Sequence, residues 1–155
     1  MTEAIVKSID VSIDPDKAFE IFTAEISKWW PLDSHSIAAR HGEPAKNVTI
    51  EPKIGGEVFE TDQDGKKAKW GNVTEWAPGK RFAMTWHVGR PESEATDVSV
   101  DFSVIADGTK VTLIHSNWER LGTEAVAAQN SYNLGWEEVF VKRFMRATIN
   151  VKVFA

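Results

Sequence analysis

The sequence predicts an α+β domain in which helices cover one face of an antiparallel sheet. Residues 4–13 alternate between apolar and polar side chains, and residues 46–118 form short alternating runs separated by turn residues. From about residue 123 to 148 the apolar spacing becomes helical. Short connections favour an antiparallel meander, with the helices as a second layer. Because 155 residues are the length of one ordinary domain, we expect residues 1–155 to form a single domain.

The first strand and first helix have recognisable signals. Residues 4–13 place Ile5, Ile9, Val11 and Ile13 on one face, which predicts a strand with one buried side. Asp14 suits a helix N-cap, and Pro15 suits the first turn, where a missing N–H costs nothing. Apolar residues then recur three or four positions apart at Ala18, Phe19, Phe22, Ile26 and Trp29. This spacing predicts one helix that runs to Trp29 with a single buried stripe.

Trp30 does not belong to that stripe, because adjacent helical residues point roughly 100° apart. Pro31 disfavours helical geometry at the residue before it, so Trp30 is predicted to lie at the helix exit. Residues 32–40 then have room for at most a second short helix.

Six further strands are predicted at residues 47–51, 57–62, 69–76, 81–88, 98–105 and 110–116. The turns between them carry Gly55, Gly65, Gly79 and Gly108. Alternation assigns the inward-facing residues of the last three strands as Phe82, Met84, Trp86 and Val88, then Val98, Val100, Phe102 and Val104, then Val111, Leu113 and His115. By the same alternation His87 is predicted to face outward.

The final helix is predicted to be long and amphipathic, with an aromatic buried face. That face carries Tyr132, Trp136, Val139, Phe140, Arg143 and Phe144. Arg143 is expected to pair with an anionic ligand group, with Asp101 or with Glu57, or to extend its charged end to the helix edge.

Composition excludes several functional classes. The net charge is −5 and the basic residues form no run, so we expect no nucleic-acid partner. There is no cysteine, the first residues lack the pattern of a signal peptide, and no apolar run could span a bilayer. These features predict a cytoplasmic protein with no membrane partner. Seven tryptophans beside one tyrosine indicate either an aromatic core or aromatic side chains that line a cavity.

Motifs for nucleophilic, phosphate-binding and dinucleotide-binding sites are absent from the sequence. His35 and His41 are six residues apart in a predicted loop, which matches no helical metal pair. Glu137 and Glu138 are neighbours on a helix and therefore diverge. We therefore expect no metal, no cofactor and no catalytic residue set. His115 is either a hydrogen-bonded histidine at the core edge or a polar anchor in an apolar cavity.

A set of ordered motifs extends over nearly the whole chain. They are Asp14-Pro-Asp-Lys-Ala-Phe19, Trp29-Trp30-Pro31, Glu51-Pro-Lys-Ile-Gly-Gly56, Trp70-Gly-Asn-Val73, Glu75-Trp-Ala-Pro-Gly-Lys-Arg81, Gly108-Thr-Lys-Val-Thr-Leu-Ile-His115 and Gly135-Trp136. Their order resembles bacterial proteins similar to the C-terminal domain of the heat-shock-protein ATPase activator, in the START-related (SRPBCC) superfamily. The resemblance implies a helix-grip fold, in which a curved sheet wraps a long C-terminal helix around a mostly apolar cavity. It also implies that the helix exit, with Trp30 and Leu32, borders the cavity rim.

The expected function is the binding of a small apolar or aromatic molecule in that cavity. The expected wall consists of Trp86, Phe102, Leu113, Tyr132, Trp136, Phe140 and Phe144, with His115 and Arg143 as polar contacts. A fold of this kind supports several functions, so two alternatives stay open. One is a cyclase or aromatase that uses His115 as a general acid or base. The other is a protein-interaction module that contacts a chaperone or a second copy of the chain through Trp30 and Leu32.

Overall fold

The computed structural model describes the backbone of residues 2–153 and the side chains of residues 2–149. Seven antiparallel strands form one curved sheet; they are β1 (Ile5–Val11), β2 (Asn47–Ile50), β3 (Glu57–Thr61), β4 (Lys67–Ala77), β5 (Arg81–Trp86), β6 (Thr96–Ile105) and β7 (Gly108–Ser116). Their order is β1-β7-β6-β5-β4-β3-β2. Each of β2 to β6 pairs with its successor in sequence, whereas β1 pairs with β7 and forms the edge opposite to β2. The predicted meander is therefore confirmed, with strand bounds within two residues of those predicted for β2 to β7.

Helices cover the concave face of this sheet. They are α1 (Pro15–Thr23), α2 (Ile26–Trp29), α3 (Ala125–Trp136), a π-helical stretch (Glu137–Phe144) and α4 (Met145–Val153), with 3₁₀ turns at Ala38–His41, Glu92–Glu94 and Trp118–Glu124. Residues 125–153 run without interruption and are called the C-terminal helix below. This arrangement is the predicted helix-grip α+β fold. None of the helices described for the chain is long and apolar enough to cross a membrane.

The start of α1 follows the sequence prediction, but its end does not. The Asp14 side chain accepts a hydrogen bond from the Lys17 backbone N at 2.8 Å, as an N-cap should. The helix predicted to continue to Trp29 is instead interrupted after Thr23. There the Thr23 hydroxyl donates to the Phe19 carbonyl at 2.8 Å, and the Glu25 N–H reaches back five residues to the Glu20 carbonyl. A side chain that competes for a helical carbonyl weakens the helix at that point.

Two predictions from strand alternation are wrong. Val104 is 78% exposed, because it lies next to the last residue pair of the β6–β7 hairpin, beyond the helical cover. His87 was predicted to face outward but is only 6% exposed. Because β5 ends at Trp86, alternation no longer applies at the next residue, and the His87 ring turns back to the Arg90 carbonyl, 3.1 Å from its Nδ1.

One end of the space between sheet and helices is filled by interlocking phenylalanine rings. This group, the phenylalanine end, comprises Phe19, Phe22, Phe82, Phe102, Phe140 and Phe144, all buried. The Phe22 ring lies 5.3 Å from the ring of Phe144 and 6.1 Å from that of Phe82, and Phe140 stacks on Phe144 at 5.6 Å. Trp29 joins this end, 5.2 Å from Phe22.

Candidate functional site

A cavity of about 720 Å³ lies at the other end of the same space, between β4, β5, α3 and the segment after α2. Its aromatic lining consists of Trp30, Trp70, Trp86, Tyr132 and Trp136. Small side chains from Ser34, Ser36, Ala127, Ala128, Ser131 and Gly135 leave the space open, and the polar and charged lining consists of His35, Arg40, Arg90, Glu94 and Glu124. Arg40, Glu124, Ala127 and Ser131 are exposed, so the outer part of the cavity reaches the surface.

Four of the indoles form a continuous wall, called the tryptophan wall below. Trp70 lies 5.1 Å from Trp30 and 5.2 Å from Trp86, and Trp136 lies 5.4 Å from Trp86 and 5.9 Å from Trp30, measured between ring centroids. All four are buried, with at most 7% of each residue exposed. The wall therefore presents aromatic faces and edges from three different parts of the chain.

Trp30 belongs to this wall because of the backbone at the helix exit. It is the C-cap of α2, with an extended backbone (φ −65°, ψ 133°), and Pro31 follows it. Its ring packs on Trp70, 5.1 Å away, while it stays 5.9 Å from the ring of Trp29, and its Nε1 donates to the His35 carbonyl at 2.7 Å. Trp30 is only 7% exposed, so it is a wall residue and not part of an exposed partner surface. Leu32 is half-buried against the core and does not line the cavity.

The segment after Trp30 is fixed to the sheet by a buried carboxylate that the sequence analysis missed. Glu60 on β3 is 1% exposed, and its Oε1 accepts hydrogen bonds from Ile37 N at 2.7 Å and from Trp70 Nε1 at 2.8 Å. Its Oε2 accepts from Ala38 N at 2.9 Å. Glu60 lies two residues after the buried Val58, on the same inward face of β3, but a carboxylate gives no apolar signal in the sequence; the register shift beside it leaves the extra residue, Trp70, on β4. One side chain thus positions a wall indole and the segment that carries His35 and Arg40.

His115 is fully buried behind the wall and does not line the cavity. Trp136 Nε1 donates to its Nδ1 at 3.0 Å, and since an indole N–H can only donate, Nδ1 must be the unprotonated nitrogen. Nε2 therefore carries the proton and donates to Thr96 Oγ1 at 2.7 Å, while the Thr96 hydroxyl donates to the Trp86 carbonyl at 3.1 Å. Burial lowers the pKa of His115 to about 3, which agrees with this neutral form.

Both nitrogens of His115 are therefore occupied by protein groups. The histidine connects Trp136 to the end of β5, which carries Trp86, through Thr96. Trp118 covers the imidazole on another side, with ring centroids 4.0 Å apart. The geometry matches the first of the two interpretations of His115, a hydrogen-bonded core histidine that supports the wall.

The remaining predicted site residues divide into two groups. Trp86, Tyr132 and Trp136 line the cavity. The structure places Phe102, Leu113, Phe140 and Phe144 in the core, outside the cavity lining. Arg143 donates from Nε to Glu138 Oε2 at 3.0 Å on the same helix, and Asp101 pairs instead with Arg81 at 2.8 Å. Phe102 and Leu113 follow the same strand alternation as Trp86, and Phe140 and Phe144 follow the same helical spacing as Tyr132 and Trp136. Periodicity alone therefore did not separate the core residues from the lining residues.

The cavity carries ionisable groups of both signs at its outer part. Arg90 pairs with Glu94 at 3.0 Å and with Glu124 at 3.1 Å. Burial lowers the pKa of His35, whose Nδ1 lies 2.8 Å from Ser34 Oγ. Within the side chains that the structure describes, no group of three or more histidine, aspartate or glutamate residues is arranged to hold a metal ion.

Comparison with protein families gives one match. Residues 12–148 match the family described as activator of Hsp90 ATPase homolog 1-like protein. A search among curated proteins found no match.

Several solved structures are similar along most of the chain. Protein MLL2253 from Mesorhizobium loti is 15% identical, with a TM-score of 0.68, and the alignment covers 96% of this chain and 97% of that one. The dimeric Aha1 from Colwellia psychrerythraea is 17% identical, with a TM-score of 0.59 and coverage of 89% and 96%. An anthrahydroquino-γ-pyrone synthase, Txn09, solved in complex with a compound designated SUM, is 30% identical, with a TM-score of 0.58 and coverage of 85% and 88%.

Proposed function

Starting from the fact that this chain belongs to the family of activator of Hsp90 ATPase homolog 1-like proteins, we propose that it binds a small, largely apolar or aromatic molecule in the cavity. The observation that carries this proposal is the tryptophan wall around a space of about 720 Å³. That volume is in the range typical of small-molecule sites, and the lining combines the indoles with several polar and charged side chains. Family membership fixes the fold more than the function, so the proposed function depends on the cavity itself.

The distribution of polarity in the lining supports one orientation of the ligand. The apolar part fits at the inner end, against the exposed edges of Trp30, Trp86 and Trp136 and the half-buried Tyr132, with the completely buried Trp70 behind them. The polar part fits at the outer end, where Arg40 and Glu124 are exposed. Flat aromatic molecules suit such a wall because ring pairs gain about 0.5–1.5 kcal/mol beyond the area that they bury.

Gly135 offers a way to block the cavity without disturbing the core. It lies in α3, lines the cavity, and a Cβ added there would meet no atom within 4 Å. Gly135→Phe therefore projects a ring into the open space. Leu134→Phe is the matched control, because Leu134 is the preceding helical residue and is 74% exposed.

The test is native mass spectrometry of protein purified from its own cells, with 9-anthracenecarboxamide as an added probe. We expect wild type and Leu134→Phe to carry a small molecule or to bind the probe, and Gly135→Phe to do neither. If Gly135→Phe binds as wild type does, the cavity is not the binding site. If wild type binds nothing, the proposed function is wrong.

A second candidate, a ring-closing enzyme, is favoured by the 30% identity to the anthrahydroquino-γ-pyrone synthase. The residue suited to proton transfer in this cavity is His35, because it lines the space and burial keeps its imidazole neutral near pH 7. His115 has no free nitrogen for this role. Under this hypothesis His35→Gln abolishes conversion of the retained molecule, followed by mass, and leaves its affinity nearly unchanged. Equal loss of both indicates binding alone.

Contact with a chaperone or with a second copy of the chain is the third possibility, drawn from the family description and from the dimeric relative. Burial of Trp30 removes the exposed patch on which the sequence-based version of this hypothesis depended. Light scattering during size exclusion, and a chaperone ATPase assay with and without the protein, test it directly.

A further inference from the structure

Of the two arginines that line the cavity, one pairs with glutamates of the lining and the other does not. The lining contains the arginines Arg40 and Arg90 and the glutamates Glu94 and Glu124. Nη1 of Arg90 lies 3.0 Å from Glu94 Oε1, and Nη2 lies 3.1 Å from Glu124 Oε1. A single guanidinium therefore uses both carboxylates of the lining, and the second arginine has none.

Arg40 makes no ion pair or side-chain hydrogen bond with any residue that the structure describes. Its position is nevertheless defined. The guanidinium lies against the backbone of Gly89, where an added Cβ would come within 2.0 Å of Nη1. Gly89 has a φ of 72°, so both the backbone conformation and the space for the arginine favour glycine.

The segment that carries Arg40 is also anchored. Glu60 accepts the backbone N–H groups of Ile37 and Ala38, one turn before the arginine. The backbone of the segment is thus fixed to the sheet, and the guanidinium lies beside the loop at Gly89 in the outer part of the cavity. Such restraint matters because a side chain that is already positioned loses less conformational entropy on binding.

We infer that Arg40 binds a carboxylate group of the ligand, so that the ligand is an aromatic acid with its ring system against the tryptophan wall and its carboxylate at the outer end. This inference rests on the proposed function. A guanidinium matches a carboxylate with two parallel hydrogen bonds. The lining glutamates Glu94 and Glu124 both pair with Arg90, so Arg40 is the lining arginine that is left to pair with one carboxylate of a ligand.

The test compares two probes of nearly the same shape, 9-anthracenecarboxylate and its neutral amide, 9-anthracenecarboxamide. Affinities are measured by titration calorimetry at low and high salt. We expect wild type to bind the carboxylate at least about tenfold more tightly than the amide, since a charge-assisted pair of bonds replaces a neutral contact. High salt should reduce that preference because the site is partly exposed.

The variants separate a specific contact from a general effect of charge. Arg40→Gln should abolish the preference while the affinity for the amide stays as in wild type, and Arg40→Lys should keep part of it. Arg146→Gln is the matched control, since Arg146 is an exposed arginine of the C-terminal helix outside the lining. Thermal unfolding followed by circular dichroism should give the same midpoint for the Arg40 variants as for wild type.

The outcomes distinguish the two proposals. If wild type binds both probes equally, or if Arg146→Gln lowers the preference as much as Arg40→Gln does, the carboxylate inference is wrong and the proposed function stands. If neither probe binds, this inference fails, and the proposed function fails with it if the purified protein also carries no small molecule.

Discussion

The phenylalanine end and the tryptophan wall lie in the same interior and are both buried and aromatic, yet the cavity of about 720 Å³ lies at the wall. Phenylalanine rings carry no polar atoms, so they can tilt until they fill the space, as Phe22, Phe140 and Phe144 do. An indole N–H must find an acceptor when it is buried. Trp30 donates to the His35 carbonyl, Trp70 to Glu60 and Trp136 to His115. Three of the four wall indoles are therefore held in orientation, and the hydrogen bonds keep them from collapsing into the space.

Trp86 is the exception within the wall. Its Nε1 is buried and has no acceptor among the described residues. Its backbone carbonyl accepts the Thr96 hydroxyl, which in turn accepts from His115. Trp86 is therefore positioned through its backbone. Its indole N–H is the one among the four wall indoles that has no hydrogen-bond acceptor in the described structure.

The largest loss of stability is expected from a substitution at the phenylalanine end. Phe144→Ala removes a completely buried ring in contact with Phe22 and Phe140, and should lower the free energy of unfolding by about 3–5 kcal/mol. Affinity for the anthracene probes should change little, because Phe144 does not line the cavity. Tyr132→Ala is the matched variant at the cavity. There we expect a larger loss of probe affinity and a smaller loss of stability, because Tyr132 lines the cavity and is half-buried. Urea unfolding and calorimetry measure both; if Phe144→Ala weakens binding as strongly as Tyr132→Ala, the two ends are not independent.

The second-largest effect is expected from acid, because protonation of His115 should destabilise the folded protein. The pKa of His115 is about 3 in the folded protein and about 6.5 when unfolded, so the unfolded state binds the proton first. The stabilising effect of the neutral imidazole is complete above about pH 6.5 and is lost as the pH falls from there toward 3, by up to about 1.4 kcal/mol per pH unit. Urea unfolding between pH 7 and 4.5 measures this slope. His115→Asn should flatten it and exposed His41→Asn should not; equal slopes in all three proteins would contradict the role of His115.

A smaller effect is expected from the anchor of the segment that closes the cavity. In Glu60→Gln an amide NH₂ replaces one carboxylate oxygen, so it opposes one of the N–H donors that now bond to Glu60. The buried donor left unpaired should cost about 1–3 kcal/mol. Faster hydrogen exchange at the Ile37 and Ala38 amides would locate the loss. Glu57→Gln, exposed on the same strand, is the control; unchanged exchange in Glu60→Gln would show that the segment is held by other contacts.

The smallest predicted effect is a gain in stability. Gly135→Ala places a methyl group in open space within α3 and should stabilise the protein by about 0.5–1 kcal/mol through helix propensity. Probe affinity should fall only slightly, because one methyl group occupies little of about 720 Å³. The thermal midpoint measures the gain, and a lower midpoint would mean that the space beside Gly135 is not free.

The sequence predicted the fold well because its signals are local and repeated. Alternation gave the strands, Asp14 and Pro15 marked the start of α1, and helical spacing gave the C-terminal helix. Features that apolar periodicity does not report were missed. Glu60 is a carboxylate on the inward face of β3, and the end of β5 at Trp86 turned His87 inward.

The candidate site was predicted only in part. Trp86, Tyr132 and Trp136 were placed on the inner faces by periodicity, but the same periodicity selected Phe140 and Phe144, which pack in the core. Periodicity reports that a side chain faces inward, and it does not report whether neighbouring rings fill the space. Arg40 lies in a segment with no periodic pattern, so its place at the cavity depends on tertiary contacts such as the one with Gly89.

The indole N–H signals of the tryptophans in a two-dimensional ¹H–¹⁵N spectrum test the central claim most directly. The signals are assigned with single Trp→Phe variants, and 9-anthracenecarboxamide is then added. Binding at the tryptophan wall predicts shifts for Trp30, Trp70, Trp86 and Trp136, with little change for Trp76, which packs against Phe19 at the phenylalanine end. A shift confined to Trp76, or no shift at any indole, would contradict the claim that the tryptophan wall is a ligand site.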